Sequence, residues 1–215
     1  MSVLLTIILA TLAVSSADEN AVTCGSVIKI QQTDTGYYLN SETKNLNAGS
    51  GQQIVTFVSD TATHNTLWWV RPADHATPSS EYPAGATCRL AEPIECGSLI
   101  RLTHQSTRRN LHSHKVESVL SKQQEVTAFG QGDGLGDGGD DWRVVCREKY
   151  WMRGAPVRLQ HKDTGFFLGT AKSLEFNRDT CGSHCPIMNH LEGFARKEED
   201  SHSLLKTEMG IHISK

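Results

Sequence analysis

Apolar and polar residues follow the same order three times along this chain. Apolar side chains flank a basic one in Ile28-Lys29-Ile30, Ile100-Arg101-Leu102 and Val157-Arg158-Leu159, the period of two that marks a half-buried strand. Leu39, Leu111 and Leu168 follow nine positions after Ile30, Leu102 and Leu159. The intervening segments Thr33-Asp34-Thr35-Gly36, Gln105-Ser106-Thr107-Arg108 and Lys162-Asp163-Thr164-Gly165 are polar and suit hairpin turns. Gln52-Gln53-Ile54-Val55-Thr56 then matches Gln123-Gln124-Glu125-Val126-Thr127, with Leu191 in the place of Val55 and Val126. A bulky apolar residue closes each copy: Trp69, Trp142 and Leu205.

Each copy predicts four short strands, too few to bury two faces alone. Three copies on one core predict an all-β domain, a β-trefoil of twelve short strands about a pseudo-threefold axis. Its repeats would run over about 22–90, 94–148 and 151–212 within a single domain, 18–215. In that arrangement Ile30, Leu102 and Leu159 meet Leu39, Leu111 and Leu168 at the axis. Matched placement of Trp69 and Trp142 assigns them to the core. Loops are predicted at the Pro/Ser-rich stretch from Pro72 to Pro83, at the acidic glycine-rich stretch 132–141, and in the long interval between Leu168 and Leu191.

The amino terminus reads differently. Leu4 to Val14 is an apolar run ending in Ser15-Ser16-Ala17, the pattern of a signal peptide over residues 1–17 and too short for a membrane span. No later stretch reaches spanning length, so the mature chain is expected to be lumenal or extracellular. Net charge is −3 with scattered basic residues, which disfavours nucleic acid as a partner.

Six cysteines in such a chain read as disulfides: Cys24, Cys88, Cys96, Cys146, Cys181 and Cys185. Cys24 and Cys96 precede strand 1 of their copies, and Cys88 and Cys146 follow strand 4. Strands 1 and 4 of one trefoil copy are antiparallel neighbours, so the expected pairs are Cys24–Cys88 and Cys96–Cys146. The third copy has Arg153 where those cysteines stand, leaving Cys181–Cys185 as a local bridge, with a reactive dithiol as the alternative.

The chemistry on offer is sparse. His112 and His114 share one strand face and sit near Arg108 and Arg109, together a candidate partner or ligand surface. Two histidines are not a metal site; His104 is the nearest third ligand, and a polar hairpin tip is the simpler assignment. No metal, cofactor or catalytic residue is assigned, since no nucleophile, zinc-protease or Cys-x-x-Cys motif is present. The Asp-rich stretch lacks calcium-loop spacing and reads as a solvated hairpin.

The repeats resemble MIR motifs, found in protein O-mannosyltransferases and in inositol trisphosphate and ryanodine receptors. Cys24-Gly25-Ser26, Arg101-Leu102-Thr103-His104, Arg109-Asn110-Leu111-His112-Ser113-His114, Gln124-Glu125-Val126 and Asp140-Asp141-Trp142 resemble the stromal cell-derived factor 2 family in particular. That resemblance implies a non-enzymatic accessory in the endoplasmic reticulum lumen. Its implied partners are a J-domain co-chaperone, the Hsp70 system and unfolded client proteins. A mannose-recognising, lectin-like module is the alternative, with glycans as partners. The final His212-Ile213-Ser214-Lys215 departs from the family's retention tetrapeptide, so partial secretion is expected.

Overall fold

The structure, a computed structural model, describes residues 18–46, 48–73, 88–131 and 136–213. The expected signal peptide, most of the Pro/Ser-rich stretch and residues 132–135 of the glycine-rich stretch lie outside the described residues. Four strands come first: β1 (Val27–Gln32), β2 (Tyr38–Asn45), β3 (Gln53–Val58) and β4 (Trp68–Pro72). A matching set follows in β5 (Leu99–His104), β6 (Asn110–Glu117), β7 (Gln124–Phe129) and β8 (Trp142–Val145). The last third contributes β9 (Arg158–His161), β10 (Phe167–Gly169), a one-turn helix α1 (Arg178–Cys181), β11 (Leu191–Glu192), β12 (Phe194–Arg196) and β13 (Leu205–Ile211).

The all-β class stands, but the twelve-strand, three-repeat trefoil does not. The described residues form thirteen strands in one antiparallel network, and pairings of β3 with β7, β5 with β8 and β13 with β1 wrap it back on itself. The last third departs most from the expected repeat. Where β3 and β7 each run six residues, the corresponding segment is cut at Gly193 into β11 and β12. Across that break β11 pairs with β3, whereas β12 pairs with β10 and β7, a division that β3 and β7 make within one unbroken strand. A Cβ at Gly193 would stand only 3.0 Å from the Val55 carbonyl oxygen, so glycine permits the crossing.

One hydrophobic core lies inside. Ile30, Leu39, Leu102, Leu111, Leu159 and Leu168 are all fully buried in it, each stabilising by about 1.5–3 kcal/mol through removal from water. Trp68, not Trp69, is the counterpart of Trp142. The two indoles donate to the Leu39 and Leu111 carbonyls, each at 2.9 Å, and Leu205 fills the third place, fully buried. The adjacent tryptophans make the one-residue shift invisible in sequence, but on a strand it reverses the face. Trp69 is partly exposed, with the Arg71 and Arg108 guanidinium groups 5.1 and 5.7 Å from its ring.

Three polar groups are buried among these apolar ones at matched positions, Gln32, His104 and His161. Each joins its own hairpin turn to a neighbouring 3-10 helix. His104 Nε2 donates to the Asn65 carbonyl at 3.0 Å and Nδ1 accepts from Thr107 Oγ1 at 2.8 Å. His161 does the same with the Gly139 carbonyl and Thr164, and Gln32 with the Ser201 carbonyl and the Thr35 amide. Satisfied in this way, a buried polar group fixes register without an orphaned donor. Burial pushes the pKa values of both histidines down.

Cys24 bonds Cys88, Cys96 bonds Cys146 and Cys181 bonds Cys185, with Cα separations of 5.6, 5.4 and 5.2 Å. The first two close loops of 64 and 50 residues. The third closes only four, beside a satellite cluster of Ile54, Phe176 and Ile187.

Candidate functional site

A polar cleft of about 440 Å3 has His112, His114, Asp137, His161, Asp163 and Thr164 in its lining. Strand β6 presents His112 and His114 two residues apart, hence on one face. Their rings stand edge to face with centroids 5.0 Å apart. The opposite wall is the 3-10 helix Gly138–Asp140 with its N-cap Asp137.

That wall is held from several directions. Asp137 accepts from the Gly139 amide at 2.9 Å, and Asp140 accepts from the Asp137 amide at 2.9 Å, a reciprocal capping box. Arg101, almost fully buried on β5, donates through Nε to Asp141 Oδ1 and through Nη2 to the Asp137 carbonyl, both at 2.8 Å. Lys162 reaches Asp141 Oδ2 at 3.3 Å. Gly139 lets β6 come close, since a Cβ there would lie 2.4 Å from His112 Cε1.

Both histidines are oriented by carboxylates. His112 Nδ1 donates to the fully buried Asp140 at 2.9 Å, and Asp140 also accepts from Asn110 at 3.2 Å. His114 Nε2 donates to Glu125 at 2.7 Å, and Glu125 further accepts from the Ser50 amide. Burial pushes the Glu125 carboxyl up, but the hydrogen bonds from His114 and Ser50 outweigh it and hold the pKa below its usual value.

The structure separates the residues grouped from sequence. His112 and His114 share the cleft, and His112 is buried within β6 rather than at a polar hairpin tip. Arg108 turns to Trp69. Arg109 lines another cleft, of about 310 Å3, with Thr43, Lys44 and Gln53. His104 has both ring nitrogens engaged elsewhere and does not join His112. The acidic stretch is not a solvated hairpin over its described part, because Asp140 and Asp141 are completely buried. Asp137, Asp140 and His161 were therefore missed as site residues. The Asp137-Gly138-Gly139-Asp140 spacing, an N-cap with an acid three residues on, was the available signal.

The chain compares closely with known proteins over nearly its whole length. Residues 41–175 match the MIR domain. Stromal cell-derived factor 2 of Mus musculus is 41% identical over 206 residues, covering 92% of this chain and 91% of the relative. The Homo sapiens protein of the same name is 37% identical over 205 residues, covering 91% and 90%. The crystal structure of the SDF2-like protein from Arabidopsis thaliana superposes with a TM-score of 0.77 at 29% identity, covering 90% of this chain and 98% of that one. These relatives and the three disulfides are consistent with a lumenal or secretory protein. Among the described residues no helix is long and apolar enough to cross a membrane. The chain belongs to the stromal cell-derived factor 2 family.

Proposed function

We propose that this chain acts without catalysis, as an accessory of protein folding in the endoplasmic reticulum lumen. In this role it joins a J-domain co-chaperone and supports Hsp70-assisted folding of unfolded clients. The observation that carries the proposal is kinship with stromal cell-derived factor 2 across about nine tenths of both chains. Three disulfides support it, because such bonds persist in oxidising compartments. The open polar cleft at His112 and His114 favours a second reading, glycan binding, since sugar hydroxyls suit a wall of carboxylate and imidazole groups.

Capture from lumenal extract on the immobilised chain, followed by washing with free mannose, separates the two. Recovery of a J-domain protein that resists mannose supports the adaptor. Bound material released by mannose supports the glycan reading. Recovery of no J-domain protein overturns the first.

A further inference from the structure

We propose that His112, Asp137 and Asp140 form a binding site for a divalent first-row transition-metal ion, with Zn2+ as the reference case. His112 Nδ1 lies 2.9 Å from Asp140 Oδ1 and 3.6 Å from Asp137 Oδ1, and all three ligand atoms fall within 4.8 Å of one another. A tetrahedron with zinc bonds of about 2.0–2.1 Å has edges of about 3.3 Å. The two separations bracket that edge, and the third, between the two carboxylates, lies within 4.8 Å and would close by movement of the exposed Asp137 side chain. One imidazole and two carboxylates suit borderline cations, and the two acids balance the ion's charge.

A second, independent observation comes from inside the chain. The 3-10 helices His64–Thr66 and Ser201–Ser203 occupy the places matched to Gly138–Asp140. Where the middle copy has Asp140, they have Thr66 and Ser203, each fully buried and each bonded to its own N-cap carbonyl, at 2.9 and 3.0 Å. Where the middle copy has His112, they have Asn40 and Gly169. A hydroxyl is therefore enough for the fold. The middle copy instead buries a carboxylate, held by Asn110 and the Asp137 amide, and sets an imidazole against it, so an acid and an imidazole meet at this place only here among the three.

The surroundings are those of a ligand set. Asp140 Oδ2 stays bonded to Asn110 and to the Asp137 amide when Oδ1 turns to a metal, the outer-shell support that metal carboxylates commonly have. Arg101 and Asp141 anchor the helix, so the ligands are in place beforehand. The Asp137 side chain is 59% exposed, which opens the remaining coordination position to the cleft. His114 stands beside it, oriented by Glu125.

Calorimetric titration of Zn2+ into the purified, disulfide-bonded chain tests the proposal, with Co2+ absorption reporting the ligand field. One saturable site is expected. Asp137→Asn should weaken it at least tenfold while leaving the fold intact, because asparagine caps a helix as well as aspartate does. His112→Asn, which installs the residue found at Asn40, should weaken it similarly. His184→Gln, at an exposed histidine outside the cleft, should leave it unchanged. The proposal is overturned by the absence of saturable binding, or by affinity within twofold of wild type in Asp137→Asn.

Discussion

Asp141→Ala should unfold the protein at a markedly lower temperature, because it removes the buried carboxylate that accepts from Arg101 Nε and leaves that charge without its acid on this side. Asp141 is completely buried and Arg101 is 2% exposed, joined through Nε at 2.8 Å. Removing one partner of such a pair costs about 3–5 kcal/mol, since the remaining charge is left in a poor dielectric. The Lys162 contact at 3.3 Å is partly solvated and adds little. For a chain of this size about 1 kcal/mol moves the midpoint by roughly 2–4 °C, so a fall of about 6–20 °C is expected. Arg101→Met should lose a comparable amount by leaving the carboxylate buried. The double change Arg101→Met with Asp141→Leu should regain most of the loss, as hydrophobic replacement of a buried pair is often near neutral. Differential scanning calorimetry of the four proteins completes the cycle. A drop under 2 °C for Asp141→Ala, or a double variant equal to the sum of the singles, would show that the pair is neither buried nor coupled.

Three further outcomes are expected. Leu111→Ala should destabilise by about 2–5 kcal/mol in denaturant melts through the cavity it leaves, whereas Val116→Ala, at a partly exposed position, should change stability by less than about 0.5 kcal/mol; equal losses would contradict the core assignment. Burial lowers the folded pKa values of His104 and His161 while the unfolded chain takes up protons near pH 6.5. Stability should therefore be flat above about pH 7 and fall as pH drops from about 6.5 toward those lowered values. Replacing both by glutamine, the residue at Gln32, should flatten that slope, and an undiminished slope would refute it. Loop length predicts about 4 kcal/mol lost on replacing Cys24 and Cys88 by serine but only about 2 kcal/mol for Cys181 and Cys185; denaturant midpoints for the two double variants in the opposite order would exclude the loop-length account.

Strand alternation was legible wherever it was paired with a turn, and the six leucines and isoleucines spaced nine apart all lie in the core. Where the pattern was ambiguous by one residue, as at Trp68-Trp69, sequence pointed to the wrong indole, because two adjacent tryptophans satisfy either phase. The strand division at Gly193 was not legible: it falls where the Val55 carbonyl approaches closely, a contact far away in sequence. The cleft was half visible. His112 and His114 stood out, but the acidic wall was hidden because composition made residues 132–141 look like solvent-exposed loop. Burial of Asp140 and Asp141 is a tertiary fact, set by Asn110, Arg101 and Lys162 from other strands and turns.

The proposed adaptor role is tested most directly with purified components. The disulfide-bonded chain and a lumenal J-domain co-chaperone are mixed and followed by sedimentation velocity, with Hsp70 and an unfolded client added in a parallel refolding assay. The account predicts a stable complex that persists in free mannose, together with less client aggregation when all components are present. Two species sedimenting independently at every concentration, with client aggregation unaffected by the chain, would contradict it.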